Sequence, residues 1–187
     1  MEPEQESWGS ELEKLRPLLV LLARQNVNPR LWKDVDPSGV VQDTMVEALN
    51  ARGQFQGNGS SALKGWVRGI LLNNLKDAIR KVHREVRDVD REVPIARAID
   101  ESTSRIERQL SNHDPSPSEM AMRNEELLGL ASALERLEPA QRDSVELHHL
   151  QGRSLSEAAL LLGRSEGAVA ALLHRGLVKL KELMKKG

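Results

Sequence analysis

The sequence predicts an all-α protein built from two small helical domains. Its cores must be aliphatic, because the 187 residues include one Phe, three Trp and no Tyr. A Leu-rich, Ala-rich and Val-poor composition favours helices over strands. Capping residues recur ahead of apolar stripes spaced by three and four residues, the period of a helix that packs on one side. The length suits one ordinary domain or two small ones, and an acidic stretch ending in DPSPSE marks a boundary between two.

Taken in order, Ser10 and Glu13 make a capping box ahead of a stripe of Leu12, Leu15, Leu18, Leu19 and Leu22 that runs to Ala23. Pro17 either kinks this helix or starts its main body. Polar residues Gln25 to Arg30 break the pattern. Asp36-Pro37 is a second start, a capping carboxylate followed by proline at the first helical position. The helix can run to Ala51 with Val41, Met45, Ala48 and Leu49 inward, leaving Gln42, Asp43 and Glu47 on an acidic face. That face is either solvated or meets a basic or polar partner.

Arg52 to Ser61 is a loop with three glycines and the only Phe. Phe55 either tucks under a helix, the commoner role, or meets a base. Gly57-Asn58-Gly59 is no phosphate-binding loop, since no Lys-Ser/Thr pair or preceding strand accompanies it. The next helix, Ala62 to Arg87, buries Leu63, Trp66, Val67, Ile70, Leu71, Leu75, Ala78, Ile79 and Val82. Against that face, Lys64, Arg68, Lys76, Arg80, Arg84 and Arg87, with Asn73 beside them, make one basic stripe that Asp77 and Glu85 only interrupt.

From Asp88 to Pro117 periodicity weakens, as in a linker with one short helix near Ser102 to Leu110. Ser118 caps a helix with Met122, Leu127, Leu130, Ala131, Leu134 and Leu137 inward, and Pro139 starts another that reaches Leu150. The expected organisation is therefore 1–91, a linker over 92–117, and 118–187.

The last two helices form a helix-turn-helix. Ser154 and Glu157 make a capping box before Leu155, Ala158, Ala159 and Leu162, with the small Ala159 where a second helix can approach. Gly163 ends the first helix and Ser165 caps the second. The second helix turns Val169, Leu172, Leu173, Gly176, Leu180 and Leu183 inward, and Glu166, Ala170, Ala171, His174, Arg175, Val178 and Lys179 outward. A helical hairpin in any small bundle has the same caps, whereas a helix laid in the major groove would use that outward face.

Charge helps decide. The net charge of −1 splits into −3 over residues 1–61, +4 over 62–91, −6 over 92–163 and +4 over 164–187. Two basic segments in an otherwise acidic chain suggest two DNA contacts, because Lys and Arg neutralising phosphates supply most non-specific affinity. No apolar run approaches a membrane span, and the acidic N-terminus is unlike a signal peptide, so a cytoplasmic protein is expected. With no Cys, thiol chemistry and Cys-based metal sites are excluded. His148 and His149 are neighbours that should point apart on a helix, with no acidic cluster to complete a metal set. The reading is of a non-enzyme with no metal and no cofactor.

Three motifs in order resemble a sigma-70 family sigma factor of the extracytoplasmic-function (group four) type. VDPSGVVQDTMVEAL resembles region 2.2, LKGWVRGILLNNLKDAIRK resembles regions 2.3 and 2.4, and residues Leu134 to Met184 resemble region 4. The RGLVKLKEL ending and the DPSGVVQDT form are also similar to sigma factors of planctomycete-like bacteria. The resemblance implies a protein that binds core RNA polymerase through its β′ clamp and β flap and directs promoter recognition, melting and initiation. It implies a core-polymerase surface of Asp36, Val40, Val41, Gln42, Asp43 and Glu47. It implies contacts to the minus-ten element from Phe55, Asn58, Lys64, Arg68, Asn73, Lys76, Arg80 and Arg84, with Asn58 the candidate for a flipped base. For the minus-thirty-five element it implies Arg164, Ser165, Ala170, Ala171, His174, Arg175 and Lys179. The acidic linker would thread the polymerase channel. Two departures matter: Ala170, Ala171 and Leu172 stand where basic or hydroxyl residues are usual, shifting base reading toward His174 and Arg175, and Gly39 replaces the usual acid before Val-Gln. An anti-sigma factor as a further partner is left open. The alternative from a different class is a stand-alone helix-turn-helix regulator that recognises an operator by itself.

Overall fold

The computed structural model describes residues 3–87 and 117–185. The expected linker over 92–117 lies almost wholly, and its short helix near Ser102 to Leu110 entirely, outside those residues. The described residues form eight α-helices in two compact units, one ending at Ala121 and the other starting at Met122.

In the first unit, α1 (Pro3–Asn26) leads through a 3₁₀ turn (Pro29–Leu31) into the short α2 (Trp32–Val35) and then α3 (Pro37–Asn50). A second 3₁₀ turn (Arg52–Gln54) precedes the long α4 (Gly59–Arg87). Helices α1, α3 and α4 pack on one another around Leu12, Leu19, Leu31, Val41, Val67, Leu71, Leu75 and Ile79. Leu18, Leu19, Val20, Leu21, Ala23 and Arg24 are all buried, so this part of α1 is covered on every side rather than along one stripe. The helix begins at Pro3 and carries Ser10 and Pro17 in its interior. The turn after α1 is closed by side chains: Asn28 accepts from the Arg30 N–H at 3.0 Å, and the Arg24 guanidinium lies 3.8 Å over the centroid of the Trp32 ring.

Helix α3 is rotated from the expected register. Pro37, Val40, Val41, Thr44 and Ala48 are buried, whereas Met45 and Leu49 are only half-buried. Thr44 tolerates burial because its hydroxyl donates to the Val40 carbonyl at 2.8 Å and accepts from the Asn74 amide at 3.2 Å. The buried face of α4 is as expected along Leu63, Val67, Leu71, Leu75, Ile79 and Val82, with Leu72 added and Trp66, Ile70 and Ala78 only half-buried.

The boundary falls inside α5 (Pro117–Glu135); the second unit holds its part from Met122 onward, then α6 (Pro139–Val145) continued by a π-helical turn (Glu146–Leu150), α7 (Leu155–Leu162) and α8 (Glu166–Met184). Only the end of α5 enters the core, through Ala131, Ala133 and Leu134, followed by Leu137; Leu127 is 38% exposed rather than inward, and Leu130 is half-buried. The side chain of Met122 lies outside the described residues. In the π turn the Gln151 N–H reaches back five residues to the Glu146 carbonyl at 2.9 Å. The wider turn brings the rings of His148 and His149 edge-to-face at 4.9 Å between centroids, instead of pointing them apart. His148 Nδ1 donates to the Arg153 carbonyl at 2.8 Å, which fixes its tautomer.

Helix α8 packs on α6 and α7. At Gly176 it lies against α6, where an added Cβ would sit 3.0 Å from Val145 Cγ2 and 3.3 Å from the Gln141 carbonyl oxygen. No helix among the described residues is long and apolar enough to cross a membrane.

Candidate nucleic-acid and polymerase surfaces

The helix-turn-helix follows from local chemistry. Ser154 Oγ accepts from the Glu157 N–H at 3.2 Å, while Glu157 Oε2 accepts from the Ser154 N–H at 2.8 Å and its hydroxyl at 2.9 Å. These bonds stabilise the ionised form and hold the Glu157 carboxyl below its ordinary range, with Arg153 adding a smaller electrostatic effect. Gly163 takes the left-handed conformation, φ 61°, that ends α7, and Ser165 Oγ accepts from the Ala168 N–H at 3.3 Å to begin α8.

On α8, Glu166, Ala171, His174, Arg175, Val178 and Lys179 are exposed, as are Arg164 and Ser165 ahead of it, while Ala170 is half-buried. Small residues therefore line the first turns and polar ones the third. Lys179 Nζ lies 3.6 Å from Glu182, an exposed pair of small energetic weight. His174, Arg175 and Lys179 line a groove of about 460 Å³ together with Arg136, Glu138 and Gln141 from the α5–α6 turn and α6. Arg136 is not singled out by the sequence; a base three residues before the Pro139 helix start is its only signal.

In the first unit, Asp36, Gln42, Asp43 and Glu47 are exposed, Val40 is 8% exposed and Val41 is wholly buried. Val41 fills the core between α3 and its neighbours, so the polymerase-facing set loses it, while Val40 keeps an edge on the surface. Asp36, Gly39, Val40, Asp43 and Glu47 line a groove of about 630 Å³ with Asp34, Asp77, Lys81, Arg84 and Glu85. Its carboxylates outnumber its basic groups, which suits a basic partner. Asp34 was missed because α2 has no motif. Asp36 has φ 44° and makes no capping hydrogen bond, contrary to the capping role expected of it. Its carboxylate lies over Gly39, where a Cβ would come within 2.6 Å of Oδ2. Gly39 thus leaves the space that an acid from the preceding residue turn occupies.

The basic residues of α4 do not make one stripe. Each four-residue step drifts by about 40° on a helix, so Lys64 and Arg84 end about 200° apart. Lys64, Arg68 and Lys76 are half-buried; Asn73, Arg80 and Arg84 are exposed. Arg80 Nη1 pairs with Asp77 at 3.3 Å, and Arg84 belongs to the acidic groove. The side chain of Arg87 lies outside the described residues. Phe55 is half-buried against Trp8 and Trp66, with ring centroids 5.4 and 5.5 Å away, while Asn58 is exposed. No group of three or more His, Asp or Glu able to hold a metal occurs among the described residues.

Comparison with known proteins places these surfaces in context. Residues 127–180 match the family described as Sigma-70, region 4. Over 151 residues the chain is 30% identical to the RNA polymerase sigma factor CnrH of Cupriavidus metallidurans, covering 81% of this chain and 74% of that one. It is 28% identical over 171 residues to the ECF RNA polymerase sigma factor SigD of Mycobacterium tuberculosis, covering 91% and 74%. It is also 28% identical over 166 residues to the RNA polymerase sigma factor CarQ of Myxococcus xanthus, covering 87% and 80%. Among solved structures, the sigma factor RpoE in complex with the anti-sigma factor NepR from Bartonella quintana aligns with 96% of this chain and 98% of that one at 24% identity and a TM-score of 0.40.

Proposed function

Since the chain belongs to the sigma-70 family, in its extracytoplasmic-function group, we propose that its two units divide the work of initiation between them. The protein binds core RNA polymerase and promoter DNA and directs transcription initiation, and the catalysis of RNA synthesis stays with the polymerase. Its place of action is the cytoplasm, where core polymerase and promoters meet.

In this reading α8 lies in the major groove of the minus-thirty-five element, with α7 crossing the backbone. The observation that carries it is the exposed face of α8 behind two capped helix starts. Ala170 and Ala171 let the helix approach the bases closely and offer only apolar contact. His174 and Arg175 supply hydrogen-bond donors to base edges, and Arg164, Ser165 and Lys179 serve phosphates. Arg136, facing the same groove as Arg175, adds a basic group beside that surface.

The first unit docks on the β′ clamp through the carboxylates of Asp34, Asp36, Asp43 and Glu47 together with Gln42. The loop at Phe55 to Asn58 and the start of α4 face the minus-ten element, where Asn58 contacts a displaced base and Lys64 and Arg68 follow the strand, with Asn73, Lys76 and Arg80 contacting DNA from another face of α4. A glycine-rich loop beside a basic helix can hold unstacked bases because it combines close backbone approach with phosphate neutralisation. The second unit meets the β flap, and an anti-sigma factor would compete for these same polymerase surfaces.

The test is transcription in vitro with purified bacterial core polymerase on a genomic fragment library, sequencing the new 5′ ends. Transcripts that share a two-part promoter support the reading; operator binding without core, and no association with core, would support a stand-alone regulator. On a promoter so identified, Arg175→Ala should weaken binding by about 1–3 kcal/mol and relax preference at one base position. An unchanged footprint would remove Arg175 from the recognition set.

A further inference from the structure

We propose that Trp8, in the first helix, is a positioning residue for promoter melting: it clamps Phe55 against Trp66 and so holds in place the loop that presents Asn58. The proposal rests on the reading that this loop meets the minus-ten element. Three rings from three separate segments form a closed triangle. Trp8 meets Phe55 edge-on at 5.4 Å and 78°, Trp8 meets Trp66 at 6.2 Å and 89°, and Phe55 and Trp66 lie 5.5 Å apart at 47°. These separations and tilts are those at which aromatic pairs attract beyond their buried area.

The loop itself closes the other side of Phe55. A Cβ at Gly57 would fall 2.8 Å from Phe55 Cε2 and Cζ and 2.7 Å from the Ala62 Cβ, so the chain after Phe55 lies directly between the ring and the first turn of α4. Only glycine fits there. Gly59, with φ 80°, then turns the chain into α4. Asn58 stands exposed between these two glycines. Glycine-rich chain loses much freedom when ordered. A loop that had to order itself as a base arrived would lose binding strength to that cost, and a preorganised one does not. The aromatic triangle supplies the order beforehand. Phe55 thereby changes role, from a base-stacking candidate to the anchor of the loop. Trp8 contributes from a helix that carries none of the residues assigned to DNA, so its effect on melting passes through Phe55.

The experiment uses full-length protein with core polymerase and compares Trp8→Ala, Trp8→Phe and Asn58→Ala. Three quantities are measured: affinity for core, capture by the holoenzyme of a single-stranded minus-ten oligonucleotide, and amide exchange at residues 56–59. Trp8→Ala should bind core as the parent does, capture the oligonucleotide about tenfold less well, the scale of losing edge-to-face contacts, and exchange faster at 56–59. Trp8→Phe should restore most of the capture, and Asn58→Ala should lose capture without faster exchange. If Asn58→Ala loses capture and Trp8→Ala does not, the positioning role is overturned while the loop reading stands. If neither loses capture, the loop reading itself falls and takes the proposal with it. If Trp8→Ala loses core affinity by the same factor as capture, Trp8 is merely part of the scaffold and the proposal is overturned.

Discussion

The residues before α3 and α8 start their helices in opposite ways. Before α8, Ser165 has an extended backbone, φ −75° and ψ 154°, and its hydroxyl accepts from the Ala168 N–H. Before α3, Asp36 is the only described non-glycine residue with positive φ, 44°, and its carboxylate makes no capping bond. The first geometry stabilises the helix locally by about 1 kcal/mol. The second costs about 1 kcal/mol or more, so the surroundings must hold it. Those surroundings are the buried Pro37, Val40, Val41 and Thr44 immediately after it. The two helices of the helix-turn-helix therefore set their starts by bonds within a few residues, whereas α3 sets its start by packing. That difference suits their proposed tasks: a recognition helix must start at a defined residue to present defined side chains, whereas a docking face needs its charges fixed on a rigid body.

The comparison breaks most severely if α8 also depends on distant packing, and Gly176 is where it would. With Val145 Cγ2 at 3.0 Å and Gln141 Cβ at 3.3 Å from a notional Cβ, Gly176→Val should force α8 away from α6 and destabilise the second unit by about 1–3 kcal/mol. Binding to the minus-thirty-five duplex should fall with it. Denaturant midpoints of the full chain, read by probes in each unit, measure this. A loss confined to the second unit would show that local caps set where α8 starts while one tertiary contact sets where it lies. No loss at all would mean that the hairpin shifts freely on α6.

A smaller effect sharpens the local side. Ser154→Ala removes both hydroxyl bonds of the box, the one accepted from the Glu157 N–H and the one donated to its carboxylate, and should cost about 1 kcal/mol. The partner carboxylate adds a pH signature. Glu157 is held below its ordinary range in the folded protein, first by the Ser154 backbone N–H and then by the Ser154 hydroxyl. Its folded form binds a proton less readily than the unfolded form, so its contribution is present above the ordinary carboxylate range and is lost as pH falls through the lowered folded value. Glu157→Gln should flatten that part of the acid limb of the stability curve. A curve of unchanged slope would show that the box contributes nothing measurable in solution.

The same contrast explains what the sequence could disclose. Ser154, Gly163 and Ser165 were legible because capping bonds span only a few residues. Along α4 the apolar positions were legible for a similar reason, since burial repeats with the helix. What failed depended on longer distances or on unusual turns. Met45 and Leu49 looked inward because the register of α3 is set by α1 and α4, which its own sequence does not encode. The basic residues looked like a stripe because four-residue spacing hides a steady drift around the helix. His148 and His149 looked divergent because nothing announces a π turn. Arg136 and Asp34 join their grooves only through tertiary folding.

The smallest predicted effect is the most direct test of the contrast, because it uses one sequence signature in two settings. Ser10-x-x-Glu13 and Ser154-x-x-Glu157 read alike, yet only the second is a helix start; Ser10 lies exposed inside α1, which begins at Pro3. An exposed serine in a helix interior contributes no cap and has a lower helix propensity than alanine. Ser10→Ala should therefore change stability by less than about 0.5 kcal/mol, and in the stabilising direction if at all. Denaturant midpoints for Ser10→Ala and Ser154→Ala, taken under identical conditions, decide the matter. Equal losses at the two positions would mean that α1 also frays back to a local cap in solution, and the division between locally specified helix starts and a packing-specified one would fail. A loss only at Ser154 would show that the signature stabilises a helix only where the chain before it does not already continue the helix.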